Sequence, residues 1–319
     1  MGRGRLRPVP LEPRLRLLLA LQNRLGEQDA TFPTRRFEGQ VQARWGARFV
    51  MRAGPKVPTR EVMVPVHGGA IRVRLYEPAG PGPKPLHVFL HGGGWCEGGL
   101  DERDPRCRTI AAGAGCVVAS VDYRLAPENA YPVPLEDCYA ALTWLVAHAD
   151  ELGVDATRVS IGGESAGANL ATLVALLARD RSGPPLVFQW LDVPGTDLTM
   201  TQPSVDRLGT GYGLTKENMA KYVAAYLRDV DRKDGYVSPL HADDLTGLPP
   251  ALVMTAEYDP LVDEGHAYVA RLREAGVEVE HHHLAGLIHP GFAFTRLLPV
   301  AREFEQTAIA ALRRAHGHG

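Results

Sequence analysis

From residue 61 onward the chain alternates short β-branched and apolar runs with helical stretches, and this rhythm restricts the fold more than any single motif does. "EVMVPV" and "IRVRLYEP" flank "HGGA" and read as a hairpin. "LHVFL", "CVVASVDY", "RVSI", "LVFQWLDV", "ALVMTAEY" and "VEVEHHHL" follow, most of them separated by helical stretches such as Leu135 to His148. Strands joined by helical crossovers lie parallel, so the expected fold class is α/β, a mostly parallel eight-stranded sheet with helices on both faces.

Two regions break the rhythm. Leu11, Leu15, Leu18, Leu19 and Leu25 fall at helical spacing, and a second helix is expected around Glu38 to Val50 with Val41, Trp45 and Phe49. Between Asp197 and Tyr236 an insertion carries an N-cap at Thr215 and one apolar helical face of Met219, Tyr222, Val223, Tyr226 and Leu227. These amphipathic helices need a surface to cover. We therefore expect residues 1–55 and 198–230 to form a helical cap over a core of residues 56–197 and 231–319. The cap would lie above the carboxyl edge of the sheet, where ligands bind in open α/β folds.

The chain has a formal net charge of −2 over 319 residues, too little for a basic field, so neither nucleic acid nor an anionic membrane is expected as a partner. A small neutral substrate and a monomer or homodimer fit better. An Arg-rich start precedes "LLLALQNRL", but Pro8, Pro10 and Pro13 come before the apolar run and Gln22, Asn23 and Arg24 cut it short, unlike a signal peptide. No apolar run reaches the length of a membrane span. Cys96, Cys107, Cys116 and Cys138 show no C-x-x-C spacing and read as reduced thiols of a cytoplasmic protein.

Three sites at expected strand ends carry chemistry. In "RVSIGGESAGANL" Ser165 stands between a short strand and an Ala- and Leu-rich helix, with Gly163 and Gly167 two places to either side. A strand-to-helix turn sharp enough to expose a serine hydroxyl leaves no room for side chains at those two places. The motif alone is weak in a chain with 34 glycines. "HGGGW", His91 to Trp95, follows another strand, and successive glycines let backbone N–H groups converge on one oxyanion. His91 itself is assigned to ordering this loop. Asp259 closes "ALVMTAEYD" ahead of Pro260, and His289 lies in "GLIHPGF" just past the last strand, which gives the chain order Ser, Asp, His.

Other acids compete with Asp259. Asp263 and Glu264 fall in the helix that follows, Asp192 and Asp197 follow an earlier strand, and Glu136 and Asp137 begin a helix. His281, His282 and His283 do not make a metal site, because adjacent strand residues point to opposite faces and at most two can converge. The glycines of "AAGAGCVVASVDYR" precede their strand, so they do not form a dinucleotide-binding turn.

Together "HGGGW", "DYRLAPENAYPVPLEDC", "GESAG", "SPLHADDLTGLPP", "AEYDPLVDEG" and "GLIHPGF" resemble, in that order, the bacterial hormone-sensitive-lipase-like carboxylesterases, an α/β-hydrolase family. The resemblance runs from about residue 60 to the end. It implies a capped esterase acting on short to medium acyl esters without a cofactor, with Ser165, Asp259 and His289 as the triad. By the same resemblance the N–H groups of Gly93, Gly94 and Ala166 form the oxyanion hole. Two positions depart from the family pattern: Glu164 stands where Asp is usual, and Pro290 where glycine is usual. Proline restricts the residue before it, so His289 is expected in extended backbone. An amidase or deacetylase on the same scaffold, or a small-molecule receptor that has lost its chemistry, are the rival readings.

Overall fold

A computed structural model describes residues 9–25 and 49–317. Eight strands form one sheet: β1 (Thr59–Val66), β2 (Gly69–Tyr76), β3 (Lys84–Leu90), β4 (Val117–Val121), β5 (Val154–Glu164), β6 (Phe188–Asp192), β7 (Ala251–Tyr258) and β8 (Val279–Ile288). Their spatial order is β1-β2-β4-β3-β5-β6-β7-β8. β1 and β2 are the expected hairpin, closed through His67 and Gly68, and β2 also runs antiparallel to β4. From β4 to β8 every neighbouring pair is parallel, so the carboxyl ends of β3, β5, β6, β7 and β8 share one edge.

Side chains alternate across the pleat, and the strands feed two cores. Along β3, Leu86, Val88 and Leu90 enter the core under helices Val133–Ala147, Ala166–Asp180 and Val262–Glu274, while Phe89 enters the other. That second core is covered by helices Asp104–Ala114 and Pro299–Ala315 and includes Leu15 and Leu19 of helix Pro13–Leu25. A sheet dressed on both faces explains why its central strands read as nearly continuous apolar runs.

Helix Pro13–Leu25 and helix Lys216–Leu227 lie where the leucine spacing and the insertion place them. Thr215 caps the second through its side-chain oxygen, which accepts from Asn218 N at 3.1 Å. Met219, Val223, Tyr226 and Leu227 are its buried face. The helix expected over Glu38 to Val50, with Val41 and Trp45, lies almost wholly outside the described residues. Among the described residues no helix is long and apolar enough to cross a membrane.

Candidate active site

Ser165 joins β5 to helix Ala166–Asp180 in a strained backbone, φ 54° and ψ −121°, a region that residues with a side chain rarely enter. The bend is bought by small neighbours. A Cβ on Gly167 would sit 2.1 Å from the carbonyl oxygen of Leu90 on β3, and one on Gly163 would sit 2.5 Å from the same atom. The turn is held from the next strand as well, since Ser165 N donates to the Asp192 carbonyl at 2.8 Å.

Asp259 and His289 come to the same place from the ends of β7 and β8. His289 Nε2 lies 2.9 Å from Ser165 Oγ, and Nδ1 lies 2.8 Å from Asp259 Oδ2. A carboxylate can only accept, so Nδ1 carries the proton and Nε2 is left to accept from the serine hydroxyl. Asp259 is 1% exposed, and its other oxygen takes Leu261 N at 2.9 Å. The imidazole is thereby fixed in tautomer and orientation, an arrangement that can draw the proton from Ser165 as its oxygen attacks a carbonyl.

The backbone around the histidine differs from expectation. His289 is not extended but opens a short 3-10 helix, His289–Ala293, and the extended residue is Ile288, with φ −96° and ψ 171°. Pro290 occupies the first turn of that helix, where its missing N–H satisfies nothing in any case and its fixed φ suits the turn.

Gly93 and Gly94 border a cavity of about 220 Å³ together with Ser165, Ala166 and His289. Gly94 has φ +58°, and a Cβ there would strike the ring of Tyr222 at 2.4 Å. Helix Lys216–Leu227 therefore lies directly on the glycine loop. Trp95 extends this contact by stacking on Tyr226, with ring centroids 4.7 Å apart. His91 is buried, stacks on Tyr123 and hydrogen-bonds the Gly92 carbonyl at 2.8 Å, in keeping with a loop-ordering residue. The remaining wall is largely apolar, with Leu198, Met200, Leu214, Met219, Val223 and Phe292 among its residues.

Sequence reasoning missed a buried ionic network beneath Ser165. Glu164, 1% exposed, is gripped by Arg103 Nε and by Arg106, at 2.9 Å, and also faces Gly92 N at 3.4 Å. Arg106 bonds Asp192 with its other arm, and Asp192 takes Trp190 Nε1 at 2.8 Å. Burial pushes the Glu164 carboxyl up, but Arg103 and Arg106 outweigh it and hold the group below the ordinary carboxylate range. The network ties together the ends of β5 and β6, helix Asp104–Ala114 and the glycine loop. Glu164 is thus more than a tolerated replacement: its carboxylate meets two guanidinium groups.

Of the competing acids, Asp263 lies in helix Val262–Glu274 and pairs with Arg207 at 3.1 Å, and Asp197 hydrogen-bonds Thr199, Gln202 and His241. Glu264 lies in the same helix as Asp263, is 1% exposed and is among the residues lining the cavity, while Asp137, at the start of helix Val133–Ala147, is not a solvated charge but is buried and pairs with Arg124 at 2.6 Å. His281 and His283 share one face and reach Thr255 Oγ1 at 3.0 and 3.1 Å, where His266 also arrives, while His282 turns to Glu280. Among the described residues no cluster of His, Cys, Asp or Glu is arranged to hold a metal ion.

Comparison with known proteins agrees with this architecture. Residues 87–293 match the family described as alpha/beta hydrolase fold. The carboxylic ester hydrolase LipN of Mycobacterium tuberculosis is 42% identical over 290 residues, covering 88% of this chain and 76% of that protein. An arylesterase of Saccharolobus solfataricus is 36% identical over 88% of this chain and 92% of its own length. The crystal structure of EstE1, a thermostable carboxylesterase from a metagenomic library, superposes with a TM-score of 0.86 at 38% identity, covering 90% of this chain and 98% of that one. The chain belongs to the α/β-hydrolase family and is a carboxylic ester hydrolase.

Proposed function

We propose that this carboxylic ester hydrolase cleaves short to medium acyl esters of small molecules, with Ser165 as nucleophile, His289 as general base and Asp259 as the residue that orients and stabilises the imidazole. The observation that carries this reading is the hydrogen-bonded chain from Asp259 through His289 to Ser165, at the edge of an apolar cavity. Ser165 Oγ attacks the ester carbon as its proton passes to His289 Nε2, and the N–H groups of Gly93, Gly94 and Ala166 receive the developing oxyanion. His289 then protonates the departing alcohol. Water attacks the acyl-enzyme by the reverse proton path and releases the acid.

The modest cavity volume and its apolar wall favour short to medium acyl chains. Residues 198–230 act as a cap through helix Lys216–Leu227, and helix Pro13–Leu25, whose Leu19 approaches Gly213 of the insertion, contributes its N-terminal part. None of the four cysteines forms a disulfide and all are buried, which suits a reducing compartment such as the cytoplasm. Hydrolysis of a chromogenic ester series from acetyl to palmitoyl, with matching anilides, tests the assignment. Turnover that peaks at or below medium chains supports it; anilides cleaved as fast as esters would make the chain an amidase, and no turnover of either would sink the reading.

A further inference from the structure

His289 meets Asp259 because the two strands that carry them change register just before their ends. Along β7 and β8 the parallel pairing is even from Ala251 with Val279 to Ala256 with Leu284, but the next pair is Tyr258 with Ile288. Three residues of β8, Ala285, Gly286 and Leu287, therefore stand against the single Glu257 of β7. Had the first register continued, Asp259 would face Leu287 and His289 would lie beyond it. A bulge re-aims the side chains that follow it, and this one delivers the imidazole to 2.8 Å from the carboxylate.

The bulge needs support. Gly286 stands at its centre, buried, with φ +72°, a conformation that glycine adopts without strain. It pairs with no residue of β7 in the register, and a buried peptide group left out of its ladder must find partners elsewhere. Glu257 Oε2 accepts from Gly286 N at 2.7 Å, and the Gly286 carbonyl accepts from Glu12 N at 3.0 Å. The other oxygen of Glu257 accepts from Val9 N at 2.9 Å, and the Tyr258 hydroxyl donates to the Val9 carbonyl at 2.7 Å. A Cβ on Gly286 would come 3.1 Å from the Pro10 carbonyl oxygen, so residues 9–12 run directly over the bulge. One carboxylate thus joins the strand of the acid, the strand of the base and the segment that covers them.

Building on the triad proposed above, we propose that Glu257 is a positioning residue, whose carboxylate holds the bulge of β8 in the form that sets His289 against Asp259. It acts through these two side chains rather than on the ester. Both of its partners are N–H groups, so each oxygen must accept, which a carboxylate does and an amide cannot do at both ends. A misplaced imidazole impairs proton transfer in acylation and deacylation alike, while the apolar cavity that receives the ester is left in place. The expected signature is a fall in kcat with little change in KM.

The test uses the full chain with p-nitrophenyl butyrate. Glu257→Ala is expected to lower kcat about tenfold or more with KM within about threefold of wild type. It should also shift or erase the low-field proton resonance that the hydrogen bond from His289 Nδ1 to Asp259 gives in the wild type. Glu257→Gln should lose about fivefold or more, because its NH2 group opposes one of the two N–H donors. Val9→Pro removes one of those donors. Added to Glu257→Gln, it should bring kcat back to within about twofold of wild type, a recovery that a role in stability alone does not produce. If Glu257→Ala does not fold, this pair decides: recovery supports the proposal, and a double variant no more active than Glu257→Gln overturns it. Wild-type kcat and an unmoved resonance in folded Glu257→Ala, or wild-type kcat in Glu257→Gln, overturn it as well. Labelling of wild-type Ser165 by a fluorophosphonate, read by peptide mass, keeps these outcomes apart from failure of the triad itself. If wild-type Ser165 is never labelled, the underlying reading fails, and this inference with it.

Discussion

Ser165, His289 and Asp259 were legible because each sits where a strand ends, and chain order with strand order fixes which ends meet. Ser165→Ala should lower kcat by a factor on the order of a thousand or more while the fold survives, since alanine fits the elbow and only the hydroxyl proposed as nucleophile is lost. Circular dichroism with ester turnover checks both halves, and a variant keeping a tenth of wild-type activity would remove Ser165 from the mechanism. The partners of Glu164 were not legible. Arg103 and Arg106 lie 61 and 58 residues away in sequence, before and within a helix on the far side of β3, and neither spacing nor periodicity marks an ion pair made through the fold. Arg106 neutralises two buried carboxylates at once and also sits over the rings of Trp190 and Phe292, at 5.3 and 4.7 Å. Arg106→Met keeps much of the bulk but leaves Glu164 and Asp192 with too little positive charge. It should cost about 3–5 kcal/mol in urea unfolding, and a loss under 1 kcal/mol would mean that Arg103 alone can neutralise both acids.

At the scale of elements, period and turn chemistry recovered all eight strands of the sheet and the helix of the insertion, because burial on one or both faces writes itself into alternation and helical spacing. They could not show what the insertion helix rests on. Tyr222 and Tyr226 looked like members of an apolar face, yet they are also the braces of the glycine loop, one against Gly94 and the other against Trp95. Nor did proline read correctly: its bias against a preceding helical residue yielded at His289, where the short 3-10 helix is packed through Gly291, Phe292 and Ala293. If helix Lys216–Leu227 is the roof of the acyl site, Tyr222→Ala should widen the cavity and move the preferred ester toward longer chains, with activity on acetyl esters falling severalfold as the glycine loop loosens. An unchanged chain-length profile would place the acyl chain elsewhere. Thr215→Ala removes the cap of this helix and should cost about 1 kcal/mol in a thermal melt, with the chain-length profile intact.

For the molecule as a whole, stability in mild acid is expected to hinge on a histidine far from the chemistry. His87 lies in the middle of β3, fully buried, with Nδ1 2.9 Å from Ser160 Oγ, which in turn meets His316 at 2.8 Å. Burial above all, with His316 and Arg106 adding repulsion, lowers its pKa from 6.5 to about 3. The unfolded chain thus binds a proton below pH 6.5 that the folded chain refuses until about pH 3. The stability tied to a neutral His87 is complete above pH 6.5 and drains away through this window, by about 1.4 kcal/mol per pH unit. Glu164, held below its ordinary 4.5, begins to lose its own contribution only under that value, whereas Glu264, held well above it, works in the opposite sense to the histidines, so the share of His87 is read from the difference between variant and wild type. His281, half-buried and lowered to about 4, adds a smaller effect of the same sign because solvent screens it. His87→Phe fills the site with an aromatic ring that cannot titrate and should flatten this limb, so that between pH 6.5 and 5 urea unfolding costs it about 2 kcal/mol less stability than the wild type loses. Parallel pH dependence in the two proteins would show that His87 is hydrated or protonated in the folded state, and that the acid limb belongs to other groups.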